Sequence, residues 1–364
     1  MPAPRRVLLM SYWLEPGGTE RQMTEIARRL DPGRFEARVG CIRARGLYLE
    51  DLRQARIEVR EFPMSGFLRP SYWRAARDLR RYLREQRIDI VHAFDVPATL
   101  FAVPVARAAG APVVISSQRA YRSLTPGKHP FLRLTDHMVQ GIVVNSQTVR
   151  DTLIRQDRVP PELIHLCPNG LDLDVFFPAE KTGQGALHIG VAARLEPEKG
   201  LEILIDAFAE LAEAGAGAHL TILGNGPLLA ALQERARERG ISARCRFEPA
   251  TRSVANWLRS FDIFVLPSLS EALSNALMEA MACGCCAIAS RVGGNPELVE
   301  DGVSGLLFNP GDSKDLAKHL RRVLTDEPAR RSLAAAGCAR MREKFPMAAS
   351  VSRMEDIYNR VPAR

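Results

Sequence analysis

Short apolar runs alternate with amphipathic helical stretches along most of the chain. Runs such as RRVLLMSYW, IDIVHAF and DIFVLPS are typical of buried strands, whereas TERQMTEIARRL has apolar residues at helical spacing. Parallel strands must be joined by long crossovers, usually helices, so this order predicts a parallel sheet with helices on both faces. The pattern therefore restricts the chain to the α/β fold class.

The alternation breaks once and then restarts. Residues 174–186 read DVFFPAEKTGQGA and have no periodic pattern, which is typical of a linker. A chain of 364 residues is long enough for two domains of ordinary size. We therefore predict two doubly wound domains, residues 1–175 and 176–345, that face each other across a ligand cleft. Residues 346–364 have a helical pattern, and we expect this helix to pack back on the first domain.

The positive charge of the chain is confined to its first half. Residues 1–175 contain 27 lysines and arginines against 19 acidic residues, whereas the remainder contains 23 of each. This excess predicts contact with something anionic, which could be a membrane surface, a phosphorylated acceptor or nucleic acid. Nucleic-acid binders usually interleave basic and aromatic residues, and aromatic residues form only 6% of this chain. We therefore do not expect a nucleic-acid partner.

The segment 71–87 is the most basic part of that half, with six arginines and two acidic residues. Its apolar residues recur at helical spacing. The segment is either the solvated face of a helix or a helix that lies on an anionic membrane surface.

The chain has the composition of a protein that works inside the cell. No apolar run approaches the roughly 18–20 residues of a membrane span, and the N-terminal run is brief and lacks a small-residue cleavage site. We therefore read the N-terminal run as a first strand. The seven cysteines are odd in number and mostly scattered, which favours a reducing compartment. We expect a cytoplasmic protein, either free or peripheral on the inner face of the membrane.

Two carboxylates, Glu271 and Glu279, stand eight positions apart in EALSNALMEAMACGCC. On one helix they would be about 12 Å apart. That separation is too large for the carboxylate pair of a glycosidase, which needs roughly 5 to 9.5 Å. We instead predict a helix that begins near Ser274, with Glu271 in the preceding loop. Its N-terminus would lie at the carboxyl end of a parallel strand, where phosphate binds without a metal. The alternative is a solvated Glu271 and a buried helix.

Three further stretches place cations or glycines between an apolar run and a helix. Arg194 and Lys199 suit a diphosphate there, although cations at strand ends are usually solvated. GNGP at 224–227 and the pair Gly17–Gly18 allow a ligand to approach the backbone closely. The absence of GxGxxG argues against a standard NAD site.

Two motifs imitate metal sites. Asp172 and Asp174 form a DxD pattern, and Cys283 and Cys286 have CxxC spacing, but no second CxxC completes a zinc site. We predict no metal, no cofactor and a packing role for the cysteines.

The second half of the chain resembles the retaining glycosyltransferases of family 4, which have the GT-B fold of two facing Rossmann-like domains. PGGTE and PNGLDLDVFFP, at 16–20 and 168–178, extend the resemblance more loosely into the first half. The segments that carry it most specifically are 194–200 (RLEPEKG), 224–227 (GNGP), 267–284 (PSLSEALSNALMEAMACG) and 292–308 (VGGNPELVEDGVSGLLF).

The resemblance implies a nucleotide-diphosphate sugar as donor substrate and assigns roles to individual residues. Glu271 would approach hydroxyls of the donor sugar, and Glu279 would accept hydrogen bonds from the ribose. Arg194 and Lys199 would hold the diphosphate and stabilise the leaving group. Gly17 and Gly18 would pass close to the phosphate and to the acceptor. The residues implied to contact the donor, besides Glu279, are Gly17, Gly18, Gly224, Asn225, Gly226, Ala272, Leu273, Ser274 and Asn275.

The acceptor side departs from the family pattern. Many relatives place a His after the strand that corresponds to VVISSQ, whereas this chain has Arg119 in that region. His92, at the end of IVHAF, could face the cleft or could be structural. Arg119 and His92 are therefore the acceptor-side candidates.

The resemblance predicts a retaining, hexosyl-type glycosyltransferase of cell-surface polysaccharide biosynthesis with a glycan or lipid-linked acceptor. A nucleotide-sugar 2-epimerase of the same fold and a non-catalytic sugar-nucleotide-binding protein remain as alternatives.

Overall fold

The computed structural model describes residues 3–122, 127, 129–179, 185–213 and 217–363. The chain divides into two compact units, one formed by Met1–Gly170 with Met347–Arg364 and the other by Leu171–Pro346. Residues 180–184 of the predicted linker lie outside the described residues.

The first unit is built on one parallel sheet. Its strands are β1 (Arg5–Ser11), β2 (Phe35–Cys41), β3 (Val59–Glu61), β4 (Ile90–Ala93), β5 (Val113–Gln118), β6 (Gly141–Val144) and β7 (Ile164–Leu166). Its helices are α1 (Gly18–Arg29), α2 (Tyr48–Gln54), α3 (Pro70–Glu85), α4 (Val96–Ala109), α5 (His129–Asp136), α6 (Gln147–Arg155) and α14 (Met347–Arg360). Within the described residues the strands lie in the order β3-β2-β1-β4-β5-β6-β7. The winding direction therefore reverses between β1 and β4.

The second unit repeats this plan. Its strands are β8 (Leu187–Ala192), β9 (Ala218–Leu223), β10 (Cys245–Glu248), β11 (Ile263–Leu266), β12 (Cys286–Ser290) and β13 (Leu306–Phe308). Its helices are α7 (Leu201–Glu213), α8 (Leu229–Glu238), α9 (Val254–Ser260), α10 (Asn275–Ala282), α11 (Asn295–Leu298), α12 (Ser313–Thr325) and α13 (Glu327–Lys344). In the described part of this unit the strand order is β10-β9-β8-β11-β12-β13. The reversal here falls between β8 and β11.

Both sheets are buried on their two faces, which explains why their strands read as apolar runs rather than as alternating patterns. In β12, Cys286 and Ile288 join one apolar cluster while Ala287 and Ala289 join another. All seven cysteines are buried, and no disulfide bond joins any two of them. The predicted α/β class of parallel sheets is confirmed.

Helix α13 is not predicted by the apolar pattern. The residues that it buries are Leu333, Gly337, Cys338 and Met341. Small residues such as Gly337 allow a neighbouring segment to approach the helix closely without being hydrophobic themselves. The buried face of α13 therefore leaves little hydrophobic periodicity in the sequence.

The basic segment 71–87 folds as most of helix α3. The helix buries Ala75, Leu79, Tyr82 and Leu83. Its exposed residues include Trp73, Arg74, Arg77, Arg80, Arg81 and Arg84. Among the helices that the structure describes, none is both long and apolar enough to cross a bilayer.

Candidate functional site

The reversal of strand order in the second unit brings two distant loops together. Strands β8 and β11 pair directly, with Ile189 opposite Ile263. In open parallel sheets, ligands bind outside the carboxyl ends of the strands at such a reversal. The segments that follow β8 and β11 carry Lys199 and Glu271, respectively. Two of the predicted residues therefore lie where this fold normally places its ligand.

Lys199 and Glu271 form an ion pair in that position. Lys199 Nζ lies 2.7 Å from Glu271 Oε1, and the two side chains are 17% and 11% exposed. Ser268 Oγ donates a hydrogen bond to the same carboxylate oxygen at 2.8 Å. Ser290 Oγ in turn donates a hydrogen bond to the Ser268 carbonyl oxygen at 2.5 Å. Glu271 Oε2 makes no hydrogen bond to any described residue. The carboxylate is thus fixed through one oxygen and can accept a ligand hydroxyl through the other.

The turn that carries Lys199 is locked onto the loop after β11. Leu269 N donates to the Glu198 carbonyl at 2.8 Å. Gly200 has φ +58°, and a Cβ there would collide with the carbonyl oxygen of Pro267. The close approach of two backbones therefore sets the position of Lys199.

Arg194 does not join this pair. Its side chain is 65% exposed and forms ion pairs with Glu196 at 2.6 Å and Glu198 at 3.1 Å, both in its own loop. Exposed ion pairs of this kind contribute little free energy, so a phosphate could replace the glutamates at small cost. The role of Arg194 in holding a diphosphate stays a prediction.

The GNGP loop packs against the segment after β8. Asn225 O accepts a hydrogen bond from Leu195 N at 2.9 Å. Gly224 has φ +156°, and a Cβ there would collide with the Ala193 carbonyl oxygen, while a Cβ at Gly226 would collide with the backbone of Leu195. The structure therefore brings the 193–195 and 224–226 stretches together, although 28 residues of chain lie between them.

Helix α10 begins as predicted. Ser274 is its N-cap, and the Ser274 hydroxyl accepts a hydrogen bond from Leu277 N at 3.3 Å. Glu271 lies in the loop before this helix, and Glu279 lies inside it and is only 3% exposed. A Cβ at Gly294 would collide with the Ala272 carbonyl oxygen, so the VGGN segment presses on the 271–275 loop. The contacts of Ala272, Leu273 and Asn275 with a donor stay predictions.

In the first unit the glycine pair also precedes a helix, because Gly17 is the N-cap residue of α1. The Glu20 carboxylate occupies the space that a side chain at Gly17 would need. Trp13 Nε1 donates to Glu20 Oε1 at 3.2 Å. Burial, with a further contribution from the Asp95 charge, raises the pKa of Glu20 to about 6. Glu20 belongs to the PGGTE motif, but nothing in the neighbouring sequence reveals that it is buried or points to a role for it.

His92 lies in the core of the first unit. It is fully buried, with Nδ1 2.8 Å from Tyr358 Oη and Nε2 2.9 Å from Ser117 Oγ. Burial holds the pKa of His92 well below its usual range, and the Arg119 charge adds to this effect. Both ring nitrogens are therefore committed, which favours the structural reading of His92 over contact with an acceptor.

Arg119 follows β5 and remains the better acceptor-side candidate. Its guanidinium donates to Asn169 Oδ1 and lies 5.8 Å from the centroid of the Phe94 ring. Burial lowers its pKa to about 10, so it keeps its charge at neutral pH. The Arg119 charge also offsets a small part of the rise in the pKa of Glu20.

The two motifs that imitate metal sites have structural partners. The Asp172 carboxylate accepts a hydrogen bond from Asp174 N at 3.1 Å and so stabilises its own turn. Cys283, Cys285 and Cys286 are all buried. In the described part of the chain, no three His, Cys, Asp or Glu side chains are grouped to hold a metal ion.

Two family models match adjoining parts of the chain. Residues 16–175 match Glycosyltransferase Family 4, and residues 176–340 match Glycosyl transferases group 1. The chain belongs to the family 4 glycosyltransferases. The resemblance inferred from the sequence motifs is thereby confirmed.

Two curated relatives show how much of the chain the sequence similarity covers. A D-inositol 3-phosphate glycosyltransferase of Saccharomonospora viridis is 29% identical over 241 residues, which cover 61% of this chain and 56% of that protein. The chain spans about half the length of this and similar curated relatives. EpsF of Bacillus subtilis, whose name describes it as a glycosyltransferase, is 28% identical over 79% of both chains.

A solved structure of Anabaena Alr3699/HepE in complex with UDP and glucose has a TM-score of 0.86 to this chain. It covers 97% of this chain and 99% of its own, at 21% identity. At that identity the likeness establishes the fold alone, and it confirms the GT-B class with its two Rossmann-like sheets.

The raised pKa of Glu20 predicts a pH-dependent stability. Protonated Glu20 stabilises the fold below its ordinary pKa of 4.5, and this contribution is lost as the pH rises through about 6. A shift of this size corresponds to about 2 kcal/mol. Glu20→Gln stays neutral and can still accept from Trp13. Between pH 4 and pH 7.5 the wild type should lose about 2 kcal/mol that Glu20→Gln does not lose. The difference in free energy of unfolding, Glu20→Gln minus wild type, should therefore increase by that amount in urea denaturation.

Glu85→Gln is the matched control for this measurement, because Glu85 is exposed on α3. It reports the effect of replacing an exposed carboxylate by an amide. If the Glu20→Gln difference from wild type stayed constant between pH 4 and pH 7.5, the raised pKa of Glu20 would be refuted.

Proposed function

We propose that the protein is a retaining glycosyltransferase. It would move a hexose-type sugar from a nucleotide-diphosphate sugar to a glycan or lipid-linked acceptor in cell-surface polysaccharide biosynthesis. The observation that carries this proposal is the Lys199–Glu271 pair, which lies at the strand reversal of the second unit beside the N-terminal end of α10. Family membership supports the reaction class.

The proposed donor site matches the charge that develops during the reaction. Departure of a nucleoside diphosphate leaves negative charge on its phosphate oxygens. Lys199 and the backbone N–H groups at the start of α10 would stabilise that charge, because they are fixed before the reaction begins. Arg194 would join them by exchanging its glutamate partners for the phosphate. Glu271 Oε2 would accept a hydrogen bond from a hydroxyl of the sugar, and Glu279 from the ribose.

Retention of configuration would follow from attack on the same face of the sugar. The acceptor oxygen forms its bond to the anomeric carbon on the side from which the bond to the phosphate oxygen breaks. The proton of the acceptor hydroxyl passes to the departing phosphate oxygen. This route requires no carboxylate nucleophile from the protein.

The named relatives support a nucleotide sugar as the donor. HepE was solved with UDP and glucose bound, which makes UDP-hexoses the first donors to test here. The names of the S. viridis and B. subtilis relatives describe glycosyltransferases.

We further propose that the first unit binds the acceptor, and that the protein works in the cytoplasm or at the inner face of the membrane. The exposed arginines of α3 and the exposed Trp73 support an attraction to anionic surfaces.

A thermal-shift screen of UDP-, GDP- and ADP-sugars tests the donor site. We expect one nucleotide class to stabilise the wild-type protein, because binding to the folded state alone raises its melting temperature. Lys199→Ala should abolish most of that shift. Lys318→Ala is the control, since Lys318 is an exposed lysine of the same unit. The proposal fails if no nucleotide sugar stabilises the protein and Lys199→Ala behaves like Lys318→Ala.

A further inference from the structure

The first unit contains a pocket of about 680 Å³ that the predicted roles do not use. It lies where the chain leaves β2 and β3, beside the first turns of α3. Three arginines line it, namely Arg43, Arg45 and Arg74. Its volume falls within the range of roughly 300–1,000 Å³ that is usual for small-ligand sites, which is enough for a phosphate and a sugar ring.

The acidic residues of the pocket are already engaged by other groups. Glu61 Oε1 accepts a hydrogen bond from Ala44 N at 3.1 Å. Asp78 pairs with Arg81 at 2.9 Å, outside the pocket lining. These contacts orient the two carboxylates, which keep their negative charge. The lining therefore carries three guanidinium groups against two carboxylates.

Two of the three arginines have no acidic partner. Arg45 pairs with Glu15 at 3.3 Å. Arg43 and Arg74 form no ion pair with any residue that the structure describes, and both are exposed to solvent in the pocket. Arg43 and Arg74 thus line one concave surface without a direct ion pair to a described residue. They favour an anion with several acceptor oxygens, because each guanidinium can donate two parallel N–H groups.

Hydroxyl groups and a helix start complete the lining. Ser65 Oγ and Ser71 Oγ lie 2.9 Å apart, and Ser71 stands in the first turn of the 16-residue helix α3. Hydroxyls and helix N-termini are common partners of phosphate oxygens, and together with the arginines they point to phosphate rather than to a carboxylate.

The pocket adjoins the predicted glycine loop through a chain of contacts. The Arg45 guanidinium lies 5.6 Å from the centroid of the Trp13 ring. Trp13 donates to Glu20, whose carboxylate rests against Gly17. A ligand in the pocket would therefore lie beside the loop that the resemblance places near the acceptor.

We propose that this pocket binds a phosphate group of the acceptor, with Arg43 and Arg74 as the residues that select it. This inference rests on the proposed glycosyltransferase function for the identity of the ligand as an acceptor. The phosphate belongs either to a soluble sugar phosphate or to the diphosphate of a lipid-linked glycan. In both cases the pocket explains why part of the excess positive charge lies in the first unit.

The first test is a titration with inorganic phosphate at constant ionic strength, followed by calorimetry and by thermal shift. We expect the affinity for phosphate, relative to wild type, to fall roughly tenfold in each of the single variants Arg43→Ala and Arg74→Ala, and further in the double variant Arg43→Ala/Arg74→Ala. Arg74→Lys should keep part of the affinity, because lysine retains the positive charge but cannot donate two parallel N–H groups to the phosphate. The charge-matched control is the double variant Arg80→Ala/Arg84→Ala on the exposed face of α3.

The controls separate the possible binding sites. Equal loss in the Arg43/Arg74 and Arg80/Arg84 double variants would show attraction to net charge alone and overturn the proposal. Loss only in Lys199→Ala would place the phosphate in the donor site and also overturn it. Wild-type protein that binds no phosphate would overturn it as well.

A second arm distinguishes the two sources of the phosphate. The same variants are titrated with glycerol phosphate and with a polyprenyl diphosphate in neutral detergent micelles. Arginine-dependent binding of either probe supports the pocket, and the tighter probe identifies the source. Cosedimentation with anionic vesicles is the rival outcome: if vesicles bind through Arg80 and Arg84 while no phosphate compound depends on Arg43 or Arg74, the face of α3 is a membrane surface and the pocket proposal fails.

Failure of this inference is distinguishable from failure of the proposed function. If nucleotide sugars stabilise the protein but phosphate binding ignores Arg43 and Arg74, only the pocket assignment is wrong. If phosphate binding depends on both arginines but no nucleotide sugar binds, the pocket stands as a phosphate site and the glycosyltransferase proposal fails.

Discussion

Glu271→Gln is expected to lower turnover by a factor of about 10² to 10³, a loss typical of a group that is aimed at the reacting centre. The neutral amide keeps the shape of the side chain but loses the ion pair with Lys199. Lys199 would then lose the partner that positions it for the leaving diphosphate. Steady-state kinetics with the donor found by the screen measures the effect as kcat.

Glu279→Gln is the informative comparison, because Glu279 is proposed to contact the ribose rather than the sugar. We expect it to weaken the affinity for the nucleoside diphosphate by roughly tenfold, with a smaller effect on turnover at saturation. Glu343→Gln, on the exposed face of α13, should change neither quantity. Equal and negligible effects of the Glu271 and Glu279 variants would contradict both assigned roles.

Gly224→Ala is expected to destabilise the second unit by more than about 3 kcal/mol. The residue combines φ +156° with a Cβ position that collides with the Ala193 carbonyl oxygen. Backbone rather than a flexible side chain stands in the way, so relief requires the segment after β8 to move. The same movement would displace Arg194 and weaken donor binding. Urea denaturation of the full chain measures the loss of stability.

Gly302→Ala separates the two causes. Gly302 also has a positive φ, +77°, but a Cβ there meets nothing within 4 Å. We expect this variant to cost about 1 to 2 kcal/mol from backbone conformation alone. If Gly224→Ala cost no more than Gly302→Ala, close packing of the GNGP loop would not be the reason for its glycines.

Local features of the candidate site are readable from the sequence because short-range physics controls them. Pro267 ends the run DIFVLPS, and Ser274 is a good N-cap, so the start of α10 and the loop position of Glu271 follow from neighbouring residues. The parallel α/β class follows in the same way from buried strands that alternate with helices. Helix α13 escapes prediction because its packing depends on small residues.

Contacts between distant segments have no such local signal. Sequence analysis leaves His92 open between a cleft residue and a structural one. The choice depends on Tyr358, 266 positions away in α14, which supplies one of its two hydrogen-bond partners. Arg43 and Arg74 likewise look like ordinary basic residues in the sequence, and only the fold places them in one pocket, where neither forms an ion pair with a described residue.

The fold class, the family motifs and the residue types available for a diphosphate can all be read from local sequence patterns. Which of those residues meet depends on the order of the strands. Lys199 and Glu271 are 72 positions apart, and they pair because the crossover helices place β11 directly beside β8. The order of strands in a sheet is a property of the whole chain, whereas propensity and capping act over a few residues, so the pairing at the site lies beyond what sequence patterns can reveal.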